Sequence, residues 1–264
     1  MNSKNLNLLY FSPTGTTQKI VRTIGQFIGW NNVNDYNITK SIAGDHLPQI
    51  NENSITVIGL PVYAGRLPGD IAKRLEKLQG NNSIAVLVVV YGNRAFEDSL
   101  LELKDIVTNS GFRIIAAAAF IGEHSYSTAS RPIAEGRPDG NDLLKCAEFS
   151  QKIQEKLQQI ETTSDFSDII VSGNFPYKEQ VVFPAFAPEI DSAVCNSCGI
   201  CESVCPTNAI AINTEVVTNK DLCIRCCACI KSCPTDARFF NNPIIDNISE
   251  KLTVLERKEP AFFL

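Results

Sequence analysis

The sequence predicts an α/β chain: a doubly wound parallel sheet over residues 1–163, followed by a small cysteine-rich α+β unit. Three observations predict it. Short apolar runs alternate with segments of helical spacing through the first part. The first of these runs opens into a loop of hydroxyl residues at the start of a helix. Nine of the ten cysteines lie between positions 195 and 233, and eight of them form one spacing written twice.

Taken in order, Leu6–Phe11, Ser54–Leu60, Ser83–Tyr91 and Phe112–Ile121 are apolar runs of strand length. Runs that are apolar on both faces suit parallel strands covered by helices. Asp35–Thr39 is a weaker strand, expected at an edge. Thr17–Ile28, Asp70–Gln79, Ala95–Asn109 and Asn141–Gln159 carry helical spacing, and β–α alternation of this kind makes a doubly wound sheet. Residues 164–188 then mix Ser, Asp and Pro with Phe175, Tyr177, Phe183 and Phe186. A floppy polar linker lacks aromatics, so an ordered strap is expected there. The cysteine unit occupies 189–241. Helical spacing over Ile244–Glu256 and an apolar Ala261-Phe262-Phe263-Leu264 close residues 242–264, which are expected to pack back on the protein.

The first βα turn reads Ser12-Pro13-Thr14-Gly15-Thr16-Thr17. Hydroxyls and free N–H groups at a helix N-terminus make a phosphate site. Neither a G-x-x-x-x-G-K-[ST] nor a G-x-G-x-x-G is present, which excludes a triphosphatase loop and a dinucleotide fingerprint. The loop has no Lys or Arg, so it would hold its anion by hydrogen bonds alone; a bland Ser/Thr-rich helix cap looks similar. The third and fourth strands end in Pro61-Val62-Tyr63-Ala64-Gly65-Arg66 and Tyr91-Gly92-Asn93-Arg94. Each offers an aromatic face, a glycine for close approach and a positive charge, at the end of the sheet where such folds bind ligands. The fifth strand leads to His124, either solvated or poised to exchange a proton with a ligand. The long connection through Arg131–Gly140 is expected to be a lid or docking surface near that site.

Cys195-x2-Cys198-x2-Cys201-x3-Cys205-Pro206 recurs 28 residues later as Cys223-x2-Cys226-x2-Cys229-x3-Cys233-Pro234. Thr207, Ala209 and Asn213 recur as Thr235, Ala237 and Asn241. Thiolates so closely spaced, twice over, suit two cubane iron–sulfur clusters. Structural zinc usually pairs C-x2-4-C with a second, distant pair, and does not use three cysteines in seven residues before C-P. Cys227 replaces Gly199 of the first half and reads as a small residue beside a cluster. Cys146 reads as a buried, inert thiol.

On these residues the chain resembles the flavodoxin–ferredoxin fusion proteins of anaerobic bacteria and archaea. SPTGTT resembles the [ST]-x-T-G-x-T loop that holds the FMN phosphate in flavodoxins; PVYAGRLP and VYGNR stand where flavodoxins carry their isoalloxazine loops. The cysteine segment resembles the bacterial two-cluster ferredoxins. The resemblance implies a flavodoxin-like five-stranded sheet of order 2-1-3-4-5 and a bacterial-type 2[4Fe–4S] domain. It implies FMN held by Ser12, Thr14, Gly15, Thr16 and Thr17. Pro61, Val62, Tyr63, Ala64 and Gly65 would line the ring with Tyr91, Gly92, Asn93 and Arg94, Tyr63 flanking it and Gly92 and Asn93 offering backbone contacts. The fourth cysteine of each run crosses to the other cluster in that family. The implied sets are Cys195, Cys198, Cys201 with Cys233, and Cys223, Cys226, Cys229 with Cys205. Tyr63 departs from the tryptophan of many flavodoxins; Trp30, after the first helix, is expected to pack rather than stack.

The chain carries 24 basic and 29 acidic residues, a net charge of −5, with no basic run. Nucleic acid is therefore not an expected partner. The longest apolar runs are too short to span a membrane, and no signal-peptide pattern opens the sequence, so a cytoplasmic protein is expected; reducing conditions also suit thiolate ligands. The expected function is electron transfer between two [4Fe–4S] clusters and FMN in low-potential anaerobic metabolism, with redox proteins as donor and acceptor. The alternatives are a flavin-dependent reductase of a small molecule fed by the clusters, and a sensor or scaffold with structural clusters. A homodimer is expected if the two cofactor sites of one chain lie too far apart.

Overall fold

The computed structural model describes residues 5–40, 47–163 and 168–264. Through the first part the elements alternate: β1 (Asn5–Tyr10), α1 (Thr16–Ile28), β2 (Asn32–Asn37), β3 (Ser54–Pro61), α2 (Gly69–Leu75), β4 (Ile84–Tyr91), α3 (Ser99–Asn109), β5 (Arg113–Ile121) and α4 (Gly140–Thr163). The cysteine region follows with β6 (Glu189–Ile190), α5 (Ile200–Ser203), β7 (Ile210–Ile212), β8 (Val216–Thr218), α6 (Ala228–Lys231) and β9 (Arg238–Phe239). The chain then forms α7 (Pro243–Thr253) and β10 (Ala261–Phe263).

The main sheet runs β2-β1-β3-β4-β5-β10. Its first five strands are parallel, in the flavodoxin-like doubly wound order. The sheet has six strands where five were expected. The sixth, β10, pairs antiparallel with β5, Phe262 opposite Ala118. Its three residues are too few to register as a strand by pattern, and only the alanine edge of β5 makes them one.

Side chains alternate along each strand and fill two apolar layers. Leu6, Leu8 and Tyr10 of β1 and Val86, Val88 and Val90 of β4 join Ile20, Val21 and Ile24 of α1 and Phe149 and Ile153 of α4. On the other face Leu9, Ile58, Leu60, Leu87 and Val89 meet Ile71 and Leu75 of α2 and Leu100, Leu103 and Val107 of α3. Burying one such side chain contributes roughly 1.5–3 kcal/mol, so this region has ample apolar area to stand by itself. Trp30 packs against the α1–α4 layer and Cys146 lies inside it.

Several boundaries differ from the sequence reading. The polar edge strand is Asn32–Asn37 instead of Asp35–Thr39; an exposed edge has no apolar period to mark it. α2 ends at Leu75 because Lys77 and Leu78 donate to carbonyls three residues back, tightening the last turn. α3 begins at Ser99, since Glu97 adopts φ 43° and the Asp98 N–H donates to Gly65.

Residues 168–188 cross the α2–α3 face. Ile169 is buried in that layer. Asp98 accepts from the Asn174 and Lys178 N–H groups at 2.9 and 2.7 Å. The Arg66 guanidinium lies 4.7 Å from the Tyr177 ring centre and forms a buried ion pair with Glu102 at 2.8 Å. Residues 164–167 of the expected strap lie outside the described residues.

The other connection is the tail after α7. The buried Asn93 amide donates to Leu255 and Glu256 carbonyls, and its oxygen accepts from the Lys258 N–H. Phe262 inserts beside Phe120 and Phe149, at 5.8 and 4.9 Å between ring centres. The expected lid, Arg131–Gly140, is occupied by this tail. Arg137, paired with Asp142 in a buried bridge, donates to the Lys258 carbonyl, and Arg257 pairs with Asp139. Arg131 pairs with Asp246 of α7.

Candidate functional site

A cavity of about 1110 Å³ opens where β1, β3, β4 and β5 end, between the sheet and the cysteine region. The loop after β1 lines it with Ser12, Thr14, Thr16 and Thr17, the loop after β3 with Pro61 through Gly65, and the end of β4 with Tyr91, Gly92 and Arg94. Gly15 and Asn93 do not line it. Gly15 holds the left-handed cap of α1 at φ 85°, and the Asn93 side chain is turned into the tail.

The hydroxyl loop is built to receive an anion. The first N–H groups of a helix have no intrahelical partner, and Gly15 at the cap of α1 has no side chain to offer them. Ser12 accepts from the Gln18 N–H at 3.0 Å and its own N–H donates to Thr39 at 2.8 Å, which fixes the loop. The Thr17 hydroxyl is buried and has no protein partner. A buried orphan hydroxyl costs about 1–3 kcal/mol, and a phosphate oxygen at this helix end would satisfy it. The residues therefore fit the FMN phosphate.

Tyr63 and Arg66 close a tight turn by exchanging backbone bonds of 2.8 and 3.1 Å. Ala64 and Gly65 sit inside it at φ 53° and 86°. A Cβ on Gly65 would lie 1.9 Å from a Glu97 carboxylate oxygen, so a larger residue would have to displace that side chain as well as bear the strain of the positive φ. The Arg66–Glu102 pair anchors the turn and presents Tyr63 to the cavity. Burial raises the Tyr63 hydroxyl pKa, with the Cys226 and Cys227 thiols adding to it.

His124 lies against Gly92 and edge-on to Tyr126, ring centres 4.9 Å apart. Burial, helped by Arg94 and Lys231, lowers its pKa to about 4, so the ring is neutral at pH 7. Its Nδ1 accepts from the Tyr126 N–H at 3.1 Å. The proton therefore resides on Nε2, and the side chain lines the cavity as a hydrogen-bond donor.

The sequence reading missed the opposite wall. Lys178, Gln180, Val181, Phe183 and Ala185 come from the strap, Pro206–Asn208 and Lys220–Cys226 from the cysteine region, and Ile248, Lys251 and Leu252 from α7. The strap aromatics were the available signal: Arg225 lies 5.5 and 5.3 Å from the ring centres of Phe183 and Phe186.

In the cysteine region the sequence repeat is also a backbone repeat. Ser197, Gly199 and Asn208 adopt left-handed φ of 56°, 79° and 53°; Arg225, Cys227 and Asp236, each 28 positions later, adopt 58°, 63° and 55°. Cys205 Sγ lies 3.7 Å from the Thr207 hydroxyl, and Cys233 Sγ 3.7 Å from that of Thr235. The Ala209 N–H donates to Cys205 Sγ at 3.2 Å. Cys205, Cys223, Cys226, Cys227 and Cys229 line one small cavity of about 20 Å³. Burial pushes the Cys226 thiol up to about 12, so a metal taking this site must displace its proton. Among the described residues no three His, Cys, Asp or Glu side chains are grouped to hold a single metal ion; thiolates on the corners of a cage need not meet at one point.

A family model described as 4Fe-4S binding domain matches residues 188–211 and again 216–239. Ferredoxin-1 of Rhodobacter capsulatus is 58% identical over 38 residues, 14% of this chain. The chain spans 58% of that relative's length. Among solved structures, a flavodoxin from the domain Archaea overlaps 59% of this chain and 99% of its own at 14% identity, TM-score 0.42. Fusobacterium nucleatum flavodoxin bound to flavin mononucleotide overlaps 58% and 98% at 18% identity, TM-score 0.40. The fold assignment rests on the sheet's own strand order. The chain joins a flavodoxin-like sheet to a ferredoxin-type 4Fe–4S region. Among the described residues no helix is long and apolar enough to cross a membrane.

Proposed function

We propose that this protein transfers electrons between two [4Fe–4S] clusters and one FMN, in low-potential anaerobic metabolism. The observation that carries the proposal is the shared cavity: hydroxyl-loop, Tyr63 and Tyr91 side chains line it together with Cys223 and Cys226. FMN exchanges one or two electrons and each cluster passes one. Ser12, Thr14, Thr16 and Thr17, with the N–H groups opening α1, hold the phosphate. The loops at Tyr63 and Tyr91 flank the ring, and His124 donates from Nε2 to an acceptor in the cavity. Cys195, Cys198, Cys201 and Cys233 hold one cluster; Cys223, Cys226, Cys229 and Cys205 hold the other.

The flavin unit is assigned to residues 1–163, the ordered strap to 164–188, of which 168–188 are described, the cluster unit to 189–241, and the returning helix and tail to 242–264. The flavin site and the segment of Cys223 and Cys226 open on one cavity, which supports transfer within a chain and removes the need for a homodimer. Redox proteins in the cytoplasm are the proposed donor and acceptor.

A second reading has one observation in its favour. Ligand pockets run to about 300–1,000 Å³, and this cavity exceeds that range; space beside the flavin suits a reductase of a small molecule.

Anaerobic purification with iron, sulfide and flavin assays, then a dithionite titration followed by absorbance, tests the relay. About eight irons and one FMN per chain, bleaching in concert, is the expected result. Iron without flavin would sink it. Flavin reoxidised only by an added small molecule would favour the reductase.

A further inference from the structure

The two cysteine sets stand differently toward the cavity. Cys223 and Cys226 line it; Cys195, Cys198, Cys201 and Cys233 do not. Cys198 is exposed, whereas Cys205, Cys226 and Cys229 are buried. The segment carrying Cys223 and Cys226 is held in place on both sides. Ile224 packs against the α2–α3 layer of the sheet, and Arg225 is stacked on Phe183 and Phe186.

From the flavin side two loops reach the second cysteine run: the loop after β5, whose Glu123 and Ser127 hold Lys231 of α6, and the turn at Tyr63, which lines the cavity with Cys223 and Cys226. Tyr63 sits on the turn held by Arg66 and Glu102 and shares the cavity wall with the hydroxyl loop and the second cysteine run. Tyr126 also nears the run but is engaged edge-on with His124 and Phe240.

Resting on the reading of the cavity as a flavin site, we propose that Tyr63 is the positioning residue that couples the flavin to one cluster only, the one held by Cys205, Cys223, Cys226 and Cys229. The set of Cys195, Cys198, Cys201 and Cys233 is the outward one and does not sense the flavin. Coupling of this kind is reciprocal: what FMN binding does to that cluster, the cluster's charge does to FMN binding. A hydroxyl in a wall of low dielectric transmits such an influence far better than one in water.

Electron paramagnetic resonance of the reduced full-length protein reads the two clusters separately. Cys198→Ser marks the outward signal. Cys226→Ser marks the inner one, because Cys226 is buried and lines the cavity. The expected result is that removing FMN changes the line shape and midpoint potential of the Cys226-marked signal alone. Tyr63→Phe, with FMN still bound at one per chain by absorbance, should reproduce most of that change. A shift of the Cys198-marked signal, or of neither, on FMN removal would overturn the assignment. A Tyr63→Phe chain with both signals unchanged would overturn the role of Tyr63. A purified chain that binds no FMN would overturn both this inference and the relay, whereas bound FMN whose removal leaves both signals alone defeats this inference only.

Discussion

The sheet region and the cysteine region bury their interiors by different means. The first encloses two layers of Val, Leu, Ile and Phe, many of them completely shielded from solvent. The second has a core of Cys205, Ala209, Ile210 and Cys229, with Cys201, Val216, Cys223 and Ile230 packed around it. Half of those eight side chains are thiols. Apolar burial suffices for a domain of some 150 residues but not for one of about 50, so the second region has to draw its stability from metal–thiolate bonds. The cost shows in the thiols, which burial keeps protonated without metal.

Removing iron should separate the two most sharply. Metal binding and folding are linked in small metal domains, so chelation should expose residues 189–241 to protease and leave residues 5–160 protected. Mass mapping of the fragments checks this; cleavage of both regions together would mean that the sheet depends on the clusters too.

The tail links the two, and Phe262 is its anchor. Truncating a buried Phe costs about 3–5 kcal/mol; Phe262→Ala should fall at the low end, since the ring is partly buried. Urea unfolding gives the value, and hydrogen exchange should show β10 released while β1, β3 and β4 keep their protection.

The third test is electrostatic and lies in the sheet region. His124 is neutral in the folded protein down to about pH 4 but takes a proton near 6.5 when unfolded. Between those values the unfolded state binds more protons, so stability is lost as pH falls through that window and is flat below it. Each unit is worth about 1.4 kcal/mol. Because the ring is part-exposed, the expected loss is on the order of 2 kcal/mol. His124→Gln should flatten this part of the profile in chemical denaturation at pH 4 to 7.

The smallest effect sits where the cysteine repeat is imperfect. Cys227 adopts φ 63° where Gly199 adopts 79°. A side chain in the left-handed region costs about 1–2 kcal/mol, but Cys227 is also buried and deleting it leaves a small void. Cys227→Gly should therefore change the stability of the loaded protein by less than about 1 kcal/mol and leave its iron content unchanged. Loss of iron in that variant would give Cys227 a ligand role.

These regions were legible to different degrees. The runs at Ser54–Leu60 and Ser83–Tyr91 declare themselves because a strand covered on both faces has no polar positions to blur it. The cysteine runs do so because three of each cage's ligands fall within seven residues, a spacing few other sites use. Asn93 was legible only in part: its place beside Gly92 suggested backbone contacts to a ligand, and nothing near it announced that its side chain binds Leu255, Glu256 and Lys258, more than 160 positions away. No local pattern encodes such a partner. The same holds for Arg137, whose role beside Asp142 and Lys258 was hidden in a loop that looked like a lid.

The pairing of Phe262 with Ala118 has one more consequence, for assembly in the cell. To reach β5, the chain must close a loop that contains the entire cysteine region. The entropy of closing a loop rises with its length, about 0.6 kcal/mol per doubling. Iron–thiolate bonds among residues 195–233 would shorten that loop, so iron loading and docking of β10 should reinforce each other. A chain made without iron would more often leave the β5 edge bare, and an unpaired apolar edge recruits strands from other chains. Iron-depleted preparations should scatter light and gain cross-β dye binding faster than loaded ones, and iron supply would then set the aggregation threshold of a domain that binds no iron itself.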